Sequence, residues 1–206
     1  MTELNSITIS PNVQSPTGLI VALHGWGANG DDLTAFAPEL NLPDYWFEFP
    51  DAPLPHPQVP SGKMWYDLST QEYRGLTESR QLLIDWLVSL ESKTGVPLSR
   101  TILCGFSQGG AMTMDVGINF PLAGLIVLSG YLHSPLQPSV ENLPPVLIVH
   151  GKQDPIVPID AARRSLDTFT NLGAKVQYQE FNMGHEIRPE IIKLMRSFVI
   201  DAIAQP

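Results

Sequence analysis

The chain has 206 residues and a formal net charge of -9, from 12 Lys and Arg against 21 Asp and Glu. That length fits one domain with a sizeable core, and the acidic balance speaks against nucleic acid or an anionic membrane surface as the main partner. With 43% hydrophobic and 16% charged residues the composition is globular, and apolar runs such as Leu125-Ile126-Val127-Leu128 are far too short to span a bilayer.

The N-terminus, Met1-Thr2-Glu3-Leu4-Asn5, shows no basic stretch followed by an apolar run, so no secretory signal is expected. Ile7-Thr8-Ile9 reads as an antiparallel edge strand. Residues 19–23 read as a buried strand, followed by the Gly-rich loop 24–32. Asp31 and Asp32 offer N-caps for a helix over 33–40, and a short strand follows at 46–49. Residues 51–75 are irregular and carry Pro53, Pro55, Pro57 and Pro60; loops this long often line binding sites. A long amphipathic helix opens at Thr77-Glu78-Ser79, places Leu82, Leu83, Trp86, Leu87 and Leu90 on one face, and ends before Gly95. Strands follow at 101–104, 125–128 and 146–149, with a Pro-rich connector at 134–145. A helix over 159–172 closes at Gly173. An alternating edge strand at 175–181 precedes a last helix from Pro189 to about Ala204. Near-continuous apolar strands alternating with helices predict a single α/β domain over 1–206, with a mostly parallel sheet covered on both faces. Cys104, the single cysteine, lies inside a buried strand; no internal disulfide can form, and a reducing, cytoplasmic setting is expected.

Chemistry enters at Gly105-Phe106-Ser107-Gln108-Gly109. This G-x-S-x-G sits between a strand and a helix, the setting of the nucleophile elbow of α/β-hydrolases. The turn strains the serine backbone, and only glycine neighbours let strand and helix approach closely enough. A serine hydroxyl needs a base, and the base needs an orienting carboxylate. In this fold the chain order is Ser, acid, His. His24 and His56 precede Ser107. His133 and His150 follow it, but the only acids ahead of them are Asp115, on the helix leaving the elbow, and Glu141, which no strand end places. His185 remains, directly after an alternating strand, and Asp154, after the strand ending near Gly151, is the matching acid. All three fall at carboxyl ends of strands, where parallel sheets place their functional groups. The oxyanion donors are expected to be the backbone N–H groups of Gln108 and, from the Gly-rich loop, Trp26. That loop lacks the Gly-Lys-Ser/Thr ending of a phosphate cradle.

Five segments occur in order: Leu23-His24-Gly25-Trp26-Gly27; Gly105 to Met112; Leu128-Ser129-Gly130-Tyr131-Leu132; His150-Gly151 with Asp154-Pro155-Ile156-Val157-Pro158; and Gly184-His185-Glu186-Ile187. Together they resemble the carboxylesterase/lysophospholipase family that includes the acyl-protein thioesterases, over about residues 18–204. The resemblance implies a minimal, lidless α/β-hydrolase with Ser107, Asp154 and His185 as triad, and Trp26 and Gln108 as oxyanion donors. It implies ester or thioester hydrolysis without metal or cofactor. Members of the family are often dimers, though nothing in this sequence specifies an interface. Trp26 departs from the Leu typical of acyl-protein thioesterases, and an indole there would reshape the acyl site.

The expected activity is that of a serine carboxylesterase acting on short- to medium-chain acyl esters or lipid-like substrates. A lysophospholipase or an acyl-protein thioesterase uses the same machinery and stays an alternative. So does a non-catalytic binding module on the same fold, although no triad member is missing. A metal site from His150, Asp154 and His185 lacks paired-ligand spacing. Trp65 and Tyr66, in the irregular loop, are expected to contact substrate; the competing reading is that they pin the loop to the core.

Overall fold

The central strands of this chain carry apolar side chains at nearly every position and are buried on both faces. The computed structural model describes residues 4–70 and 72–204; Met1, Thr2 and Glu3, on which the reading of the N-terminus rests, lie outside the described residues. The strands are β1 (Ser6–Ile9), β2 (Gly18–Leu23), β3 (Tyr45–Pro50), β4 (Leu54–Pro55), β5 (Lys63–Met64), β6 (Thr101–Phe106), β7 (Gly124–Leu128), β8 (Val146–Gly151) and β9 (Val176–Phe181). Seven form one sheet in the order β1-β3-β2-β6-β7-β8-β9, with β4 and β5 a separate two-stranded ribbon. All neighbours in the large sheet are parallel except β1, which runs antiparallel to β3.

The helices are α1 (Phe36–Leu40), α2 (Leu76–Thr94), α3 (Gln108–Gly117), α4 (Ile159–Asn171) and α5 (Pro189–Ala204). Alternate strand residues divide between two cores, as the two-residue repeat of a strand requires. Leu19, Val21, Leu103, Val127 and Ile148 pack with Leu83, Met112, Ala162 and Phe169 of α2, α3 and α4. Ile20, Ala22, Ile102, Ile126 and Leu147 pack with Phe36 of α1 and Met195 of α5. The result is the α/β-hydrolase architecture the sequence implied, in its minimal form. Among the described residues no helix is long and apolar enough to cross a membrane.

Two local readings need correction. Asp31 and Asp32 do not cap a helix over 33–40. They lie in a 3-10 turn, Asp31–Leu33, and α1 begins only at Phe36 with no side-chain cap. The Asp32 carboxylate instead accepts the Asn29 N–H at 2.9 Å, so these residues close the loop rather than open the helix. Residues 51–75 are also less irregular than their prolines suggest. The His56 N–H donates to Gly62 O at 2.8 Å, and β4 pairs with β5 across the intervening turn.

Candidate active site

β6 delivers the chain to Ser107 at the carboxyl end of the sheet, and α3 leaves from the next residue. Ser107 has φ 55° and ψ -117°, a conformation that costs an L-residue on the order of 1–3 kcal/mol. Surrounding contacts hold it there. Its N–H donates to Leu128 O at 2.8 Å, and its carbonyl accepts from Ala111 N–H at 3.1 Å. Both flanking glycines are sterically required: a Cβ at Gly105 would strike the Gly109 backbone and lie 2.6 Å from Thr113 Oγ1, and one at Gly109 would strike Leu23 O and lie 2.7 Å from His24 O.

Asp154 and His185 come from the loops after β8 and β9, so both reach the end of the sheet where β6 delivers Ser107. His185 Nδ1 lies 2.7 Å from Asp154 Oδ2. With Asp154 ionised, Nδ1 carries the proton and Nε2 is left free to accept one. The His185 ring also packs against Phe106, the residue before Ser107, with centroids 4.7 Å apart. The Asp154 side chain is fully buried. Desolvation alone would raise its pKa. The hydrogen bonds from His185, Val157 N–H and Ile156 N–H outweigh burial, and the carboxyl titrates below the ordinary aspartate value. His150, fully buried beneath it, places Nε2 at 2.8 Å from Val157 O and 3.5 Å from Asp154 Oδ2. A carbonyl can only accept, so this Nε2 carries hydrogen. His150, Asp154 and His185 are therefore engaged with one another and with the backbone rather than gathered as metal ligands. Among the described residues no group of three or more His, Cys, Asp or Glu is arranged to hold a metal ion.

The Gly-rich loop lies directly against the serine: a Cβ on Gly25 would be 3.3 Å from Ser107 Cβ. His24, which the chain-order rule sets aside as a base, orients this loop. Its Nε2 accepts the Ala52 N–H at 2.9 Å, so Nδ1 carries the proton and donates to Gly25 O at 2.8 Å. Burial lowers its pKa, which keeps the ring neutral and this tautomer fixed. Gly25 O also accepts the Ala28 N–H. The same planar peptide carries the Trp26 N–H on its opposite side, so gripping the carbonyl aims that amide. The Gly27 N–H is taken by Lys63 O, whereas among the described residues the Trp26 N–H has no acceptor. Gln108 N–H opens α3 and, as a first-turn amide, has no intrahelical acceptor either.

The aromatic pair of the 51–75 loop is placed differently from expectation. Trp65 and Tyr66 are fully buried and show no surface to a substrate, which corrects their assignment as substrate contacts. The Tyr66 hydroxyl bonds that of Tyr131 at 2.8 Å and faces His133 Nδ1 at 3.2 Å. His133 in turn faces Asp115, which forms a two-pronged ion pair with Arg80 of α2. Asp115 thus has structural partners of its own behind the elbow helix. The exposed aromatic at this end is Trp26, 40% accessible, with its ring edge-on to His56 at 4.2 Å between centroids.

Comparison with known proteins gives the family. Residues 4–203 match the family model described as phospholipase/carboxylesterase. Acyl-protein thioesterase 1 of Schizosaccharomyces pombe is 31% identical, over 99% of this chain and 99% of its own. Lysophospholipase-like protein 1 of Mus musculus is 26% identical, over 91% of this chain and 90% of its own. Among solved structures, esterase PE8 superposes with a TM-score of 0.89 at 28% identity, covering 98% of this chain and 100% of that one. A sheet with a strained serine at its carboxyl edge, five ordered segments around that edge and a family match spanning nearly every residue lead to one conclusion: this chain belongs to the phospholipase/carboxylesterase family of α/β-hydrolases.

Proposed function

We propose that the protein is a serine carboxylesterase that works through Ser107, His185 and Asp154. His185 Nε2 takes the hydroxyl proton as Ser107 Oγ attacks the acyl carbon. The carbonyl π pair moves to oxygen and is held by the N–H groups of Trp26 and Gln108. Collapse expels the alcohol or thiol, which takes the proton from His185, and leaves an acyl-serine. Water, deprotonated by His185, then releases the acid by the same path and restores the serine. The observation that carries this reading is the 2.7 Å Asp154–His185 pair, which stands at the strand ends where Ser107 is held strained. The test is hydrolysis of p-nitrophenyl esters with labelling by a fluorophosphonate. Replacing Ser107 with Ala should abolish labelling and lower turnover by roughly four to six orders of magnitude. Substantial turnover by the folded variant would refute the assignment.

The acyl preference we assign is short to medium, on small soluble or lipid-like esters in the cytoplasm. It is supported by Trp26. The residue lies one step from Gly25, which touches Ser107, and its indole is buttressed by His56. His56 is itself pinned, with Nδ1 accepting the N–H groups of Gln58 and Val59. The leaving group must face His185 and the oxyanion must face the two amides, so the acyl chain is left to run past this aromatic wall. Replacing Trp26 with Ala should raise kcat/KM for octanoate relative to acetate by about tenfold, the scale of one or two pocket methylenes. An unchanged ratio would move the reading toward a long-chain lysophospholipase or a protein thioesterase.

A further inference from the structure

The two amides expected to hold the oxyanion come from segments more than 80 residues apart, the loop after β2 and the start of α3. Their relative position decides whether both can reach one oxygen, and a single buried residue touches the two segments. The Trp65 Nε1–H donates to His24 O at 3.0 Å, two residues before Trp26. The Trp65 backbone N–H donates to Gln108 Oε1 at 2.9 Å. Gln108 answers through its amide nitrogen, which donates to Tyr66 O at 2.7 Å. The Trp65 ring also lies beside the His24 ring, centroids 5.7 Å apart. Trp65, Gln108 and His24 are all fully buried, so these bonds have no competition from water.

We infer that Trp65 is a positioning residue for the oxyanion hole, tying the Trp26 amide to the Gln108 amide at the spacing one oxygen requires. This rests on the proposed serine-esterase mechanism. The chemistry is asymmetric. The Trp65 indole supplies a side-chain N–H to His24 O while its backbone N–H serves Gln108. Phenylalanine fills most of the same space and leaves a buried carbonyl unpaired. The loop it releases is the one that carries Trp26. Donor placement matters mainly once charge has formed on the oxygen, so the loss should fall on kcat rather than on substrate binding.

The experiment compares wild type, Trp65→Phe, Gln108→Met, the Trp65→Phe/Gln108→Met double variant and Tyr131→Phe in p-nitrophenyl butyrate hydrolysis, in inhibition by phenylboronic acid and in thermal melting. Gln108→Met keeps the backbone amide and removes both side-chain bonds of the brace. Tyr131→Phe removes a hydroxyl that bonds Tyr66 but takes no part in the brace. Trp65→Phe and Gln108→Met should each lower kcat by about 10- to 100-fold with KM within about twofold, weaken the boronate by a similar factor, and combine less than additively. Tyr131→Phe should lower the melting temperature and leave kcat near wild type. A Trp65→Phe enzyme that keeps wild-type kcat, or whose loss lies in KM, overturns the inference while the esterase reading stands. A wild-type protein that neither hydrolyses the ester nor takes the fluorophosphonate overturns both.

Discussion

Replacing Gly109 with alanine puts the elbow geometry to a direct test, because local propensity and packing predict opposite signs. Gly109 lies in the first turn of α3, and helix propensity alone favours alanine there by about 1 kcal/mol. Packing opposes it. The added methyl would strike Leu23 O and stand 2.7 Å from His24 O, and both are backbone atoms at the end of a central strand. Such atoms cannot rotate aside as a side chain would, so α3 must lift off β2. Overpacking of this kind costs about 1–3 kcal/mol, and rigid backbone neighbours place it at the top of that range. Subtracting the propensity gain leaves a net loss of roughly 2 kcal/mol, or about 4–8 °C in melting temperature for a chain of this length. Lifting α3 also moves the Gln108 amide, and a displacement near 1 Å lowers turnover by about 100-fold. Gly95→Ala is the control. Gly95 has φ 71° and open space where the methyl would stand, so alanine costs only the left-handed conformation, about 1–2 kcal/mol, and leaves turnover unchanged. Melting curves and p-nitrophenyl acetate turnover read both variants. A Gly109→Ala protein with wild-type melting temperature and turnover would refute the close-approach argument.

Other expectations follow from buried charge and burial itself. Glu48, fully buried on β3, accepts from Ser6, Thr8 and Lys93 Nζ, the last at 2.7 Å; Lys93→Met removes the counter-charge and leaves the carboxylate only the two hydroxyls, which should cost about 2–3 kcal/mol in urea unfolding, less than a fully enclosed pair because the ammonium is half exposed, and a loss below about 0.5 kcal/mol would contradict this. Cys104 is buried and its thiol is pushed up to about 12 by desolvation, so a disulfide reagent should react with no thiol in the native protein and with the single thiol after unfolding; fast native labelling would contradict the burial. The Asp154 carboxyl titrates below its unfolded value, so its contribution to stability is complete above about pH 4 and is lost as pH falls through the lower folded value. Asp154→Asn should therefore flatten the fall in stability across that acid range, and should lower turnover by about 10⁴-fold through the wrong His185 tautomer; an unchanged acid limb would refute the linkage.

The sheet is legible in the sequence because its signal is local. Runs such as Leu19 to Leu23 and Leu125 to Leu128 fix strands, and Gly95 and Gly173 mark helix ends with their positive φ. The strand-end positions of Ser107, Asp154 and His185 follow from that alternation. Long-range hydrogen bonding is not legible. Asp31 and Asp32 look like helix caps until the Asn29 N–H takes the Asp32 carboxylate and the Asp31 backbone N–H donates to Asn29 Oδ1. Trp65 and Tyr66 look like exposed loop aromatics because nothing local announces that His24, Gln108 and Tyr131 will satisfy them. Chain order sets His24 aside as a base, yet the dipeptide His24-Gly25 already contains its role, since a ring nitrogen beside a glycine carbonyl can lock the peptide that follows.

The backbone at Ser107 sets the proposed function against thermodynamics. Glycine tolerates φ 55° without the penalty serine bears, so the proposed nucleophile stands where a residue with no side chain would fit the backbone more easily. On the proposed mechanism, the strain at residue 107 is what the fold bears to hold a hydroxyl at the end of the sheet, and the bonds to Leu128 O and from Ala111 N–H are what hold it there.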